Sequence, residues 1–202
     1  MALVTASILK TYIPELTGGT GADSALTSLI DRCETQIARF LGFGYQDTAP
    51  SLDQTTRTLY VDAPMSTNSM VLQLPIKPLI SVASVHTDPD RVYGSDTLLD
   101  PSEYELDLPN SRIILKTNVA TRGFYSSYRS NKIVCDLGYT SSPPDDLIHA
   151  ICIMASQAQR AKATSGKLQL SQRGTSIRPA EPGISQEVKA LLYPLRSPSV
   201  IL

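Results

Sequence analysis

The chain has 202 residues, 42% of them apolar and 18% charged, with a net charge of −1. That composition belongs to a folded protein rather than a disordered one, and the near-neutral balance excludes a general electrostatic pull toward DNA or an anionic membrane. No apolar run approaches the roughly 18 residues of a membrane span, and the opening MALVTASILKTYIPEL lacks the basic start of a secretory signal, so a soluble, cytoplasmic protein is expected.

In chain order, Thr5 is placed to cap a short helix over 4–13, with Ile8, Leu9 and Tyr12 on one side, before Pro14 and TGGTG (17–21) break it. A second helix is expected over 23–41, where Leu26, Leu29, Ile30, Cys33, Ile37, Phe40 and Leu41 fall in steps of three and four and Gly42 supplies the stop. A polar loop follows, and residues 57–138 read as β-rich. RTLYVDA is one strand. SMVLQLPIKPLISVASVHTD holds two prolines, so it is two strands or a bent edge strand. EYELDLPNSRIILK is a strand, a turn at Pro109–Asn110 and a return, and KIVCDLGY is the last strand. A long helix is expected over 144–164, opened by Pro144, Asp145 and Asp146 and striped by Leu147, Ile148, Ile151, Met154, Ala155 and Ala158. Residues 165–202 lack periodicity apart from a short helix over 184–193, and read as an extended arm. Between Leu147 and Ala180 there are five basic residues (Arg160, Lys162, Lys167, Arg173, Arg178) and no acid. The fold class is therefore α+β: two N-terminal helices and one long helix around an inserted small antiparallel sheet, forming a core over 1–164 with an arm after it.

Residue types that carry chemistry are sparse. TGGTG is followed by Ala22 and Asp23 rather than lysine and a hydroxyl, which suits an interhelix turn and not a phosphate loop. His86 and His149 have no second ligand at metal spacing and do not neighbour Cys or Ser in a triad-like pattern. The three cysteines, Cys33, Cys135 and Cys152, form no C-x-x-C pair and read as small buried residues of a reducing compartment. Asp145 and Asp146 are helix-start acids, and Glu103, Glu105 and Asp107 share one strand face by alternation. No catalytic, cofactor-binding or metal-binding residue is assigned. Tyr125, Tyr128 and Arg129, in GFYSSYRSN, form an aromatic–basic cluster that suits a protein interface better than base stacking.

The order of these pieces resembles the head–tail connector (adaptor, or head-completion) proteins of tailed bacteriophages. The resemblance rests on LVTASILKTYI, DSALTSLIDRCETQIARFLG, LPIKPLISVASVHTD, EYELDLPNSRIILK, KIVCDLGYTSSPPDDLIHAICIMASQAQRA and the late ALLYPLR. It departs from the family at the loops 44–56 and 89–96 and in the arm. The resemblance implies a helical bundle with an appended sheet, assembled as a dodecameric ring beneath the portal protein in the neck of a virion. Such a ring extends the DNA channel, lets DNA slide through without sequence-specific binding, and docks the next neck or tail protein. It needs no cofactor and carries no enzyme activity. It also implies that the C-terminal segment clasps the portal, a role that would fall to Arg173, Arg178, Val188, Leu191, Leu192 and Leu195. Tyr125, Tyr128 and Arg129 would face a neighbouring subunit or the tail. The rival readings are a DNA-binding packaging or maturation factor and a small enzyme.

Overall fold

A computed structural model describes residues 3–13, 22–46, 49–64, 69–117, 123–140, 142–164, 170–172, 175–177 and 184–198. TGGTG, Lys167, Arg173 and Arg178 lie outside them. The described fold is α+β, with four α-helices, two three-stranded antiparallel sheets and a two-stranded hairpin. The chain divides into two compact units, Met1–Ala38 with Ser141–Pro194, and Arg39–Thr140 with Leu195–Leu202.

The first unit is helical. Helix α1 (Ala6–Tyr12) starts at Thr5, whose hydroxyl accepts the Ile8 N–H at 3.3 Å, and it buries Leu9. Tyr12, expected on the same side, stays 46% exposed. Helix α2 (Ala22–Phe40) buries Leu26, Ile30, Cys33 and Ile37 and only half-buries Leu29. Glu34 on α2 accepts the Val4 N–H at 3.0 Å, which ties the start of the chain to that helix. Helix α3 (Asp145–Thr164) opens with Asp145 and Asp146 exposed in its first turn, where they oppose the positive end of the helix dipole. It packs against α1 and against α4 (Gln186–Leu192), burying Leu147, Ala150, Ile151, Cys152, Met154 and Ala155. Each large aliphatic side chain buried in this way contributes about 1.5–3 kcal/mol.

The second unit holds both sheets. Strands β1 (Thr55–Val61), β6 (Asn131–Leu137) and β3 (Leu79–Thr87) make one, in the order β1-β6-β3. Strands β2 (Val71–Gln73), β5 (Arg112–Leu115) and β4 (Tyr104–Asp107) make the other, in the order β2-β5-β4. A single inserted sheet was expected; there are two because Pro75 and Pro78, lacking N–H donors, cut the 71–87 run, and its halves join different ladders. Along β6 the alternation is complete. Asn131, Ile133, Cys135 and Leu137 are buried, while Lys132, Val134 and Asp136 face outward. Beyond β6, Gly138 has φ +113°, and a Cβ there would sit 2.4 Å from the Asp53 carbonyl oxygen. Only glycine admits the approach that lets Tyr139 N–H reach Leu52 O at 2.8 Å and Tyr139 O accept from Gln54 N–H at 3.0 Å. The hairpin of β7 (Leu170–Gln172) and β8 (Thr175–Ile177) falls in the stretch read as aperiodic, since three-residue strands are too short to show alternation.

Candidate interaction surface

The outward face of the β1-β6-β3 sheet is ordered in cross-strand rows. At one end Asp136 accepts hydrogen bonds from Thr56 Oγ1 at 2.6 Å and Ser81 Oγ at 2.7 Å, and these two hydroxyls hold its carboxyl below the usual range. At the other end Tyr60, Lys132 and His86 stand in register. The Tyr93 ring lies beside all three: its centroid is 5.6 Å from that of Tyr60 and 6.4 Å from that of His86, and 5.5 Å from the Lys132 ammonium. Arg129 adds its guanidinium at 6.0 Å from the Tyr60 ring and 5.2 Å from the Tyr128 ring.

Two loops present this cluster, and both are tied down. In the loop 88–94, the buried Asp88 carboxylate accepts N–H bonds from Asp90, Val92 and Tyr93, each at 2.8 Å. The Tyr93 amide, ahead of the other backbone donors, lowers the Asp88 carboxyl below its ordinary value. Three bonds to one side chain allow Arg91 and Tyr93 to keep φ of 63° and 55°. In the loop 123–130, Asn131 is the hub. Its amide donates to Val61 O at 2.9 Å and Tyr125 O at 2.8 Å, and its oxygen accepts from Thr87 Oγ1 at 3.0 Å. The loops are joined to each other and to β1. Tyr93 Oη donates to Arg129 O, and Arg129 N–H donates to Asp62. Tyr45 Oη donates to Tyr60 O at 2.8 Å. Gln46 then pairs with the Tyr60 backbone as a peptide would, Nε2 to Tyr60 O at 2.9 Å and Tyr60 N–H to Oε1 at 3.1 Å. Burial raises the phenols of Tyr45 and Tyr93, so both remain hydroxyl donors at neutral pH.

The sequence singled out Tyr125, Tyr128 and Arg129. Tyr128 is 64% exposed and touches Arg129, whereas half-buried Tyr125 serves through its carbonyl, which accepts from Ala63, Ser130 and Asn131. Tyr45, Gln46, Tyr60, Tyr93 and Lys132 were missed. The alternation of RTLYVDA could have placed Tyr60 outside, and DPD before a glycine is a turn signal, but only the folded sheet brings residues 45, 60, 93 and 128–132 together. Among the clasp residues, Val188 and Leu192 are fully buried on α4, while Leu191 and Leu195 are half-buried. Glu103 is not on β4 but ends a 3-10 turn, where its carboxylate accepts the Asp100 N–H at 2.8 Å.

Aromatic faces, cations and held backbone suit recognition rather than bond-making. His86 Nδ1 lies 3.4 Å from Thr97 Oγ1, and the ring of exposed His149 lies tilted against that of Tyr12 with centroids 5.6 Å apart. Among the described residues no group of three or more His, Cys, Asp or Glu is placed to hold a metal ion. All three cysteines are buried, and burial pushes Cys33 and Cys152 up to about 11 and Cys135 to about 12.

No family model and no curated protein matches the sequence. Solved structures do match. A chain from the virion of a native gene transfer agent (GTA) particle is 20% identical, with a TM-score of 0.52 over 96% of this chain and 90% of that one. A chain from the neck of an empty GTA particle, computed with C6 symmetry, is 19% identical, with a TM-score of 0.54 over 96% of this chain and 90% of that one. This α+β chain shares its fold with chains of gene transfer agent particles.

Proposed function

We propose that the chain is a structural subunit of the neck of a phage-like virion, assembled as a ring beneath the portal, where it extends the DNA channel and docks the next neck or tail protein. The observation that carries this reading is the fold shared over 96% of the chain with a component of a GTA particle neck. The order of sequence phrases points the same way independently. The tied-down aromatic–basic surface supports it, since a ring subunit needs rigid faces for its neighbours. No catalytic step is part of the proposal. The ring is taken as dodecameric, formed on the portal rather than by the purified chain, with the helices as a bundle and residues 165–202 as the clasp.

The test is co-sedimentation of the purified chain with the portal oligomer of the same genome, viewed by electron microscopy. A ring of added density below the portal is expected; its absence overturns the reading, and DNA affinity that falls steeply with salt would then favour a packaging factor. Because Val188 and Leu192 belong to the core of the first unit, removing the arm would unfold more than a clasp. Substituting Arg173→Glu, Arg178→Glu, Leu191→Ser and Leu195→Ser together tests the clasp instead. Loss of portal binding is the expected result, with a cooperative melt, lowered only as far as the two half-buried leucines require, showing that the chain is still folded.

A further inference from the structure

The last described residues are held at two places. Helix α4 packs against α3, with Val188 and Leu192 fully buried. Its start is tied to the same helix. Ser185 Oγ, which caps α4 by accepting the Val188 N–H at 3.4 Å, also accepts from Gln157 Nε2 at 3.4 Å. Gln157 lies about two turns before the end of α3 at Thr164. The chain therefore leaves α3 at its end and returns to it at Gln157.

Beyond α4 the chain passes into the second unit, between Pro194 and Leu195. There Ser197 is 1% exposed and donates its hydroxyl to Leu74 O at 2.6 Å. The Arg196 guanidinium lies over the Phe40 ring, 5.1 Å from its centroid. The receiving site is built by its own strands. Gln73, whose Nε2 reaches Ser197 Oγ at 3.2 Å, also donates to Asn110 O at 2.8 Å and accepts from Arg112 Nε at 2.8 Å. Leu74 N–H donates to Ser111 O at 2.9 Å. A socket fixed in this way needs no rearrangement to take one serine hydroxyl.

We infer that residues 185–197 are a two-point anchor, α4 on α3 and Arg196–Ser197 on Phe40 and the Gln73–Leu74 socket, which turns the preceding arm from a tail into a loop fixed at both ends. The inference rests on the reading of residues 165–202 as the portal clasp, and it divides that segment, with 185–197 as support rather than contact. Val188, Leu191, Leu192 and Leu195 then act through their own chain and not on the portal, in keeping with their burial. A loop closed at both ends has fewer conformations to lose on docking than a tail of the same length, so the anchor strengthens binding without touching the partner. The β7–β8 hairpin lies inside this loop. Two three-residue strands are marginal alone, and closure of the chain around them favours their pairing.

The test uses the full chain with Ser197→Ala and, separately, Arg196→Ala, read by hydrogen exchange. The two variants break different contacts of one segment, with Leu74 and with Phe40. In both, the α4 amides should exchange at least about threefold faster, while those of β6 keep their protection and show the sheet still folded. Unchanged exchange in α4 in either variant overturns the anchor, since a purely local contact would loosen only its immediate partner. Co-sedimentation with the portal oligomer then reads its role, and both variants should bind at least about threefold more weakly than the unaltered chain. Variants that loosen α4 yet bind the portal as tightly as the unaltered chain overturn the supporting role. An unaltered chain that ignores the portal, with both variants still loosening α4, sinks the neck assignment and leaves the anchor standing.

Discussion

Asn131 ends three backbone and side-chain paths with one buried amide, so its replacement strands several polar groups at once. Asn131→Asp keeps the volume but removes the donor and sets a carboxylate against two carbonyls. A loss of about 2–4 kcal/mol in urea unfolding is expected, with Asn131→Ala close behind. Gly138→Ala combines a disallowed φ with a 2.4 Å clash on backbone, and should cost about 3 kcal/mol or more by the same measurement. Asp88 makes a pH prediction. Its folded carboxyl titrates below the unfolded one, so its stabilisation is fully present above the ordinary carboxylate range and is lost as pH falls through the lower folded value. Thermal melts from pH 7 to pH 3 should therefore fall more steeply for the unaltered chain than for Asp88→Asn. Asn131 and Gly138 were visible in the sequence only as parts of phrases, GFYSSYRSN and the glycine after β6. What each does depends on a partner segment dozens of residues away, which spacing along the chain does not report.

At the scale of elements, local signals were the legible ones. The Thr5 cap, the three-and-four stripe of α2, the Gly42 stop (φ 97°) and the paired acids of α3 each act within a turn or two of their own position. Strand existence was legible from alternation, but which strand joined which sheet was not, since register is settled between segments and not within them. The edge of β1 shows the difference. Gln46 occupies it with a side-chain amide that bonds both backbone groups of Tyr60, and nothing in the polar loop 44–56 announces that role. Gln46→Ala should lower stability by about 1–2 kcal/mol. It should also raise the rate of turbidity growth on warming, because an uncovered edge recruits other strands. An unchanged aggregation rate would show that the edge is protected in some other way.

For the molecule as a whole, charge is the feature that bears on the proposed channel role. With 18 basic and 19 acidic residues there is no long-range field to hold a passing duplex. The isolated chain should bind a fluorescent DNA duplex only weakly in anisotropy titrations, with a shallow dependence on salt; a steep one would place several phosphate contacts on its surface. The buried thiols carry a consequence for storage outside a reducing environment. Cys33, Cys135 and Cys152 are buried, with pKa values of about 11 to 12. At pH 8 roughly one thiol in a thousand, or fewer, is ionised. Oxygen and stray disulfides outside a reducing cytoplasm act on thiolates, so in the folded chain these sulfurs should age slowly. A free-thiol assay on stored, intact protein should still find three per chain once it is denatured.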